Sequence, residues 1–523
     1  MKIYRTTLCV LLAVVLMVSG AALAVDKDTI VVVKSAEIIS LDPQDITDTP
    51  SEDMNRKIYE GLVDFSPELS VVPKLAESWE VSEDGMTWTF KLRKGVKFHS
   101  GAPFNAEAVK LSFDRLLGGK FKRSSFFRPA IKEVRIIDEF TVAFDMKQPF
   151  GPFLNNLAHT AGLIIDPTYA TDPVKAAKMK RNPSGTGPFK FAEWEAGDFV
   201  RLEANNDYWQ GAPKLKNVVY KFVPEAASRA MMVETGEAQV AQSVNNADVE
   251  RLTQNPDIDM RIFANVSVAA IIPNTTHPIL KDARVRRALA YAIDRVSICE
   301  KILGGFAVPA YWNASPSVNC SGGQDYVIPY DPEQSKKLLE EAGWTNVGVD
   351  GIRTNAAGER LSLELWTSSA NGILPEAYLG FAKAVGMELK IVQMDWAAFM
   401  SSVAKPIDQN KSQLFMVGWS PSTGDADWVY RPLFSSAMWA PGGANRAFYK
   451  NDIVAENIAV GMRESDPKLR QAAYDKVEAQ LMIDFPRIPI YCGKNLFAVR
   501  KEVKNLNILP LNFICVDHLT EIE

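Results

Sequence analysis

Hydrophobic residues recur on two different periods in this chain, and that narrows the fold first. Met86, Trp88, Phe90 and Leu92 alternate with Thr87, Thr89 and Lys91, the period-two pattern of a strand with one buried face. Ser82-Glu83-Asp84-Gly85 precedes it, and Asp-Gly after the strand-like Trp79–Val81 reads as a hairpin turn. Further on, Val285, Ala288, Leu289, Ala292, Ile293 and Val296 recur at i, i+3, i+4, i+7, i+8 and i+11, one apolar stripe along a helix. Arg284, Arg286 and Arg287 read as its solvated face. Two more helices announce their ends. Asn105 caps one running to about Leu116, and Asp331-Pro332 opens another that stops near Gly343. Thr29–Val33 is a β-branched run suited to a buried strand. Strands and helices alternate through the rest, which is α/β construction. At 523 residues the chain has room for two to four domains. Its 58 basic and 63 acidic residues leave no excess of positive charge for nucleic-acid binding. A mean hydropathy of -0.08 excludes a polytopic membrane protein.

The start of the chain reads as a secretory leader. Lys2 and Arg5 precede an apolar run, Leu8–Val18, and Ala22-Leu23-Ala24 places small residues at the -3 and -1 positions. Cleavage is expected after Ala24. The run is shorter than the ~20 residues that span a bilayer, and no Cys follows the cleavage site to carry lipid. The expectation is a soluble exported protein, periplasmic and not a lipoprotein. Cys9 leaves with the leader, so Cys299, Cys320, Cys492 and Cys515 remain. An even count in an oxidising compartment permits two disulfides, with free buried thiols as the alternative. Cys299 ends the stripe helix and Cys320 lies in the Pro-bearing loop after it, so these two are the first expected pair. Cys492 with Cys515 is the second.

Catalytic signatures are absent. The chain has no P-loop, no G-x-S-x-G, no H-E-x-x-H and no CxxC, and Gly185-Thr186-Gly187 fails the dinucleotide pattern. His99, His159, His277 and His518 are far apart in sequence and read as structural or surface residues. No enzyme activity, metal or cofactor is expected.

Several blocks, in a fixed order, carry a family resemblance. They are Ile58-Tyr59-Glu60-Gly61-Leu62-Val63, Leu75–Gly85, Phe90–Gly101, Asn182–Phe189, Asn206-Asp207-Tyr208-Trp209, Asn274-Thr275-Thr276 and Val285–Arg295. Together they resemble the family 5 solute-binding proteins of ABC importers, which include dipeptide, oligopeptide and nickel binders. The resemblance implies a two-lobed periplasmic binding protein fold of the class with an extra domain. Mixed sheets with flanking helices form the lobes, and the ligand cleft lies between them. Residues 25–50, 181–268 and 486–523 would form domain I, 51–180 domain II and 269–485 domain III. It also implies a monomer that closes on a small peptide-like ligand and docks on a membrane permease, with no nucleic acid involved.

Within the family, Lys147-Gln148-Pro149-Phe150, Asn156-Leu157-Ala158-His159, Ala226–Ala230 and Gly418–Trp428 resemble the glutathione-binding branch. Peptide binders of the family carry an Asp three residues after the Trp of the last segment, where it holds the ligand's α-ammonium. Here that position is Ser422, which argues against ordinary α-peptides. The resemblance points to Trp419, Ser422, Thr423, Gly424, Asp425, Asp427 and Trp428 as ligand contacts, with Asp425 or Asp427 facing the ammonium. Trp396, Ala36, Glu37, Asn245 and Asn246 are further candidates, and the cations stay unassigned. The alternatives are a different small ligand such as a nickel chelate, a secreted hydrolase or a holdase chaperone.

Overall fold

The computed structural model describes residues 27–523. The leader expected over residues 1–24 lies outside the described residues. Among those described, no helix is long and apolar enough to cross a membrane.

The expected first strand is β1 (Thr29–Lys34), with Ile30, Val32 and Val33 fully buried. Helix α1 (Thr49–Ile58) follows, capped by Asp48, whose side chain accepts from the Ser51 N–H. The anticipated hairpin is β2 (Ala76–Val81) and β3 (Thr87–Leu92), antiparallel with Trp79 opposite Phe90. Its turn needs Gly85, which sits at φ 69°. Helix α2 (Ala106–Gly118) starts at the Asn105 cap. With β4 (Ile131–Asp138) and β5 (Thr141–Met146), the hairpin completes a four-stranded sheet in the order β2-β3-β5-β4. Helix α3 (Phe153–Ala158) packs behind it.

The chain then returns to the sheet of β1 with β6 (Phe189–Glu195), β7 (Phe199–Ala204), β8 (Asn217–Phe222) and β9 (Val240–Gln242), and leaves it along the long β10 (Ile258–Pro273). A second body follows: α4 (Ala283–Ala292), α5 (Pro332–Glu341), β11 (Ser362–Ser368), β12 (Glu388–Met394), α6 (Trp396–Val403), β13 (Leu414–Trp419), α7 (Asp427–Phe434), α8 (Asp452–Arg463) and α9 (Pro467–Asp484). Strand β14 (Ile488–Arg500) brings the chain back. The large sheet runs β12-β11-β13-β10-β14-β9-β1-β8-β7-β6, with Ala307–Pro309 as an eleventh strand on β14.

Among the described residues, only β10 and β14 carry the chain between the two halves of this sheet. They pair from Ile258↔Arg500 to Ala264↔Lys494, then shift register and resume at Val268↔Cys492. Two adjacent strands with an irregularity between them are a mechanical hinge, because few backbone dihedrals need to change for the halves to swing.

Local structure departs from expectation in two places. The stripe helix stops at Ala292 instead of reaching Val296, which is 44% exposed. Asp294 caps a fresh turn, and the Arg295 guanidinium bonds the Ala290, Ile293 and Pro489 carbonyls, satisfying the groups that a continued helix would have used. Arg286 is not solvated either. It is 4% exposed and donates to the Leu280 and Asp484 carbonyls, tying α4 to the end of α9.

The expected disulfides are not formed. Cys299, Cys320, Cys492 and Cys515 are all free, each in different surroundings. Cys320 lies against Arg470, Cys492 donates to the Asn265 carbonyl in the hinge, and Cys515 sits beside Lys57 and Arg56. Burial pushes Cys299, Cys320 and Cys515 up to about 11 and Cys492 to about 12, so little thiolate exists at neutral pH to start exchange. Titration of the denatured, unreduced exported protein should therefore find all four thiols. Two or none would restore the pairing.

Candidate functional site

Strand directions place the site. Val240↔Val499 and Gln242↔Phe497 show β9, and with it the parallel β1, running toward the second body. Val268↔Trp419 and Pro273↔Leu414 show β13 running the other way, with β11 and β12 parallel to it. The carboxyl ends of both sets of strands therefore face each other across the hinge. Ligands of open α/β sheets bind at such ends.

The residues singled out from sequence sit on loops at these ends, and the structure separates them by role. Ala36, Asn245 and Asn246 are exposed on the first body. Glu37 is taken: its carboxylate accepts from Trp194 Nε1 at 2.8 Å and from the Gly197 N–H at 3.1 Å. Trp396 opens α6 and is 55% exposed, its ring 5.8 Å from that of Phe399. Trp419, the last residue of β13, donates its Nε1–H to the Trp428 carbonyl in α7 at 2.5 Å, and Ser422 is half-buried in the loop between them. Gly424 adopts φ 61° and faces Phe65 of the first body. The Thr423 carbonyl accepts from Asn155 Nδ2 at 3.2 Å, so this loop touches the opposite body.

The two aspartates do not fit the role expected of them. Asp425 is fully buried and bidentate to Arg470, at 2.6 and 2.8 Å. Asp427 is bidentate to Arg431 one helical turn on. Both carboxylates are neutralised inside their own body, so they brace the loop rather than offer charge to a ligand.

Sequence reasoning missed the opposite wall. Phe126 lies between two rings: it stacks on His159 at 4.6 Å and on Trp428 of the second body at 4.5 Å. Arg123 forms an ion pair with Glu52, and His159 Nε2 lies 3.8 Å from the same carboxylate. Around this point several buried polar atoms lack a hydrogen-bond partner: Arg123 Nε, His159 Nε2, Thr160 Oγ1 and Asp48 Oδ2. Buried polar atoms are nearly always satisfied, so the partner of these enclosed atoms is an ordered water or a ligand group. His159 Nδ1 accepts from the Ala161 N–H, which makes Nε2 the donor. Burial, reinforced by Arg123 and Arg56, holds this imidazole well below its usual pKa, so it is neutral. Burial likewise lowers Arg123 to about 10, still charged at neutral pH. The residues bring together N–H donors from Arg123 and His159 and an acceptor at Asp48, beside a three-ring stack of His159, Phe126 and Trp428 that joins the two bodies. The sequence hint was the basic-aromatic run Lys122-Arg123-Ser124-Ser125-Phe126-Phe127 after α2.

Beside the hinge lies a cavity of about 210 Å³, lined by Asn265, Ser267, Asn371, Tyr378, Gly418 and Tyr491. It adds amides and hydroxyls at the ends of β11 and β13. Among the described residues no group of three or more His, Cys, Asp or Glu could hold a metal ion.

Comparison with known proteins agrees with this architecture. The profile of the bacterial extracellular solute-binding proteins, family 5 Middle, matches residues 70–441. Glutathione-binding protein GsiB of Pectobacterium atrosepticum is 33% identical over 92% of both chains, and that of Shigella flexneri serotype 5b is 34% identical over 97% of both. Among solved structures, HbpA2 from Haemophilus parasuis superposes with a TM-score of 0.84 at 25% identity, covering 95% of this chain and 100% of that one. DppA from Helicobacter pylori, in complex with the peptide STSA, gives 0.76 at 27% identity, covering 95% and 98%. The chain belongs to the family 5 bacterial extracellular solute-binding proteins.

Proposed function

We propose that this protein, the binding component of an ABC importer, captures glutathione or a closely related small peptide in the periplasm and presents it to a membrane permease. The observation that carries the reading is the group of unpartnered polar atoms where the two bodies meet. Glutathione is zwitterionic, with two carboxylates and one ammonium. Arg123 and the His159 Nε2–H suit a carboxylate, Asp48 Oδ2 suits the ammonium, and the exposed Trp396 ring suits the apolar part. The GsiB relatives support glutathione over other peptides. Ser422 and Trp419 line the second body's side, and Trp396, Ala36, Asn245 and Asn246 rim the cleft. The three-domain division expected from sequence is kept as part of this reading, with the described chain changing body along β10 and β14. The second crossing lies inside β14, beyond the expected boundary at residue 485.

No catalytic step is needed: binding is differential affinity for the closed arrangement, and transport energy comes from elsewhere. Mass spectrometry of the small molecules released when exported, natively purified protein is denatured tests the reading. Glutathione or a γ-glutamyl peptide in stoichiometric amount is the expected result. A nickel chelate or an ordinary α-peptide in that amount would replace it.

A further inference from the structure

Beneath the Trp419–Trp428 loop the two bodies also touch backbone to backbone. Gly151, in the turn between β5 and α3, donates its N–H to the Met462 carbonyl at 2.7 Å. A Cβ at Gly151 would overlap the carbonyl oxygen of Glu464 and come within 3.1 Å of Arg470 Cδ. The partner here is main chain, which cannot rotate aside as a side chain would. Only glycine allows this approach.

The contact joins parts that the chain does not hold together. Gly151 precedes the hinge, whereas Met462, Glu464 and Arg470 belong to the body between β10 and β14, at the α8–α9 junction. Arg470 is also the cation that grips Asp425, and it donates to the Gly461 carbonyl at 2.9 Å. One side chain thus links the rim contact to the base of the Trp419–Trp428 loop. Asn319 Nδ2 adds a further bond between the bodies, to the Leu69 carbonyl at 2.8 Å.

We propose that Gly151 is a positioning residue for ligand capture: its contact with Met462 and Glu464 is a latch that favours the closed form before any ligand is bound and buttresses the Arg470–Asp425 pair beneath the ligand loop. The inference rests on the reading of this protein as a binder that closes on its ligand. A ligand that binds only the closed form has its apparent affinity reduced by the fraction of molecules that are closed. Weakening the latch therefore weakens binding without removing any group that contacts the ligand.

The test compares wild type, Gly151→Ala and Gly118→Ala. Gly118 lies in the same body with nothing within 4 Å of its would-be Cβ, and serves as the control. Small-angle X-ray scattering of ligand-stripped protein should show a larger radius of gyration for Gly151→Ala only. Calorimetry with glutathione should show about tenfold weaker binding for that variant, equivalent to ~1.4 kcal/mol. A merely structural glycine would change thermal stability and leave the scattering curve as in wild type, which would overturn the latch. If Gly151→Ala does not fold, hydrogen exchange of the wild-type Gly151 amide decides. Protection in the ligand-free protein supports the latch, and exchange at the rate of a free loop overturns it. A wild type that ignores glutathione defeats the ligand assignment alone, because the scattering and exchange arms contain no ligand.

Discussion

Asp425→Asn lowers the thermal unfolding midpoint of the ligand-free protein. Asp425 is fully buried, and its two oxygens are both held by Arg470. The substitution keeps the shape and removes the charge, leaving the Arg470 guanidinium buried without its counter-ion. Breaking one side of such a pair costs about 3–5 kcal/mol. For a body of roughly 200 residues that is a fall of about 6–20 °C, at 2–4 °C per kcal/mol. Calorimetric unfolding without ligand checks it. If Asp425 instead held a ligand's ammonium, the ligand-free midpoint would not move and only affinity would fall.

Arg123→Gln lowers ligand affinity as well as stability, because Arg123 is also the ion-pair partner of buried Glu52. Arg123 is the cation at the meeting of the bodies whose Nε has no partner, and Phe126 beside it stacks on Trp428 across the cleft. Removing one charge from a buried charge-assisted contact costs 2–5 kcal/mol, which is about 30- to 3,000-fold in affinity. The variant also leaves Glu52 without its ion pair, so its thermal midpoint is measured alongside. Arg123→Lys keeps the charge and should recover part of the binding. Affinity unchanged in both variants would place the ligand's carboxylates elsewhere in the cleft.

Local patterns were legible where one residue type fixes the geometry. The Asp-Gly hairpin, the Asn105 and Asp331 caps and the β1 run fold as they read, because turn and cap chemistry is local. The stripe helix was overread because its end is set by Arg295 bonding to a carbonyl of distant β14, which no window around residues 285–296 contains. The disulfides failed for a similar reason: spacing along the chain says nothing about which cysteines meet. At the site, the Trp419–Trp428 loop was visible because its residues are contiguous. Its charges were misassigned because Arg470 and Arg431 neutralise Asp425 and Asp427 only in three dimensions. The facing wall draws Asp48, Arg123, Phe126 and His159 from separate segments. In sequence its histidine looked like any buried one.

A zwitterionic small peptide bound between two closing bodies is the ligand proposed for this protein. Isothermal calorimetric titration of ligand-stripped protein with glutathione, beside an ordinary α-dipeptide, tests that most directly. The predicted result is saturable one-to-one binding of glutathione and much weaker binding of the dipeptide. Tight binding of the α-dipeptide with no heat from glutathione would contradict it.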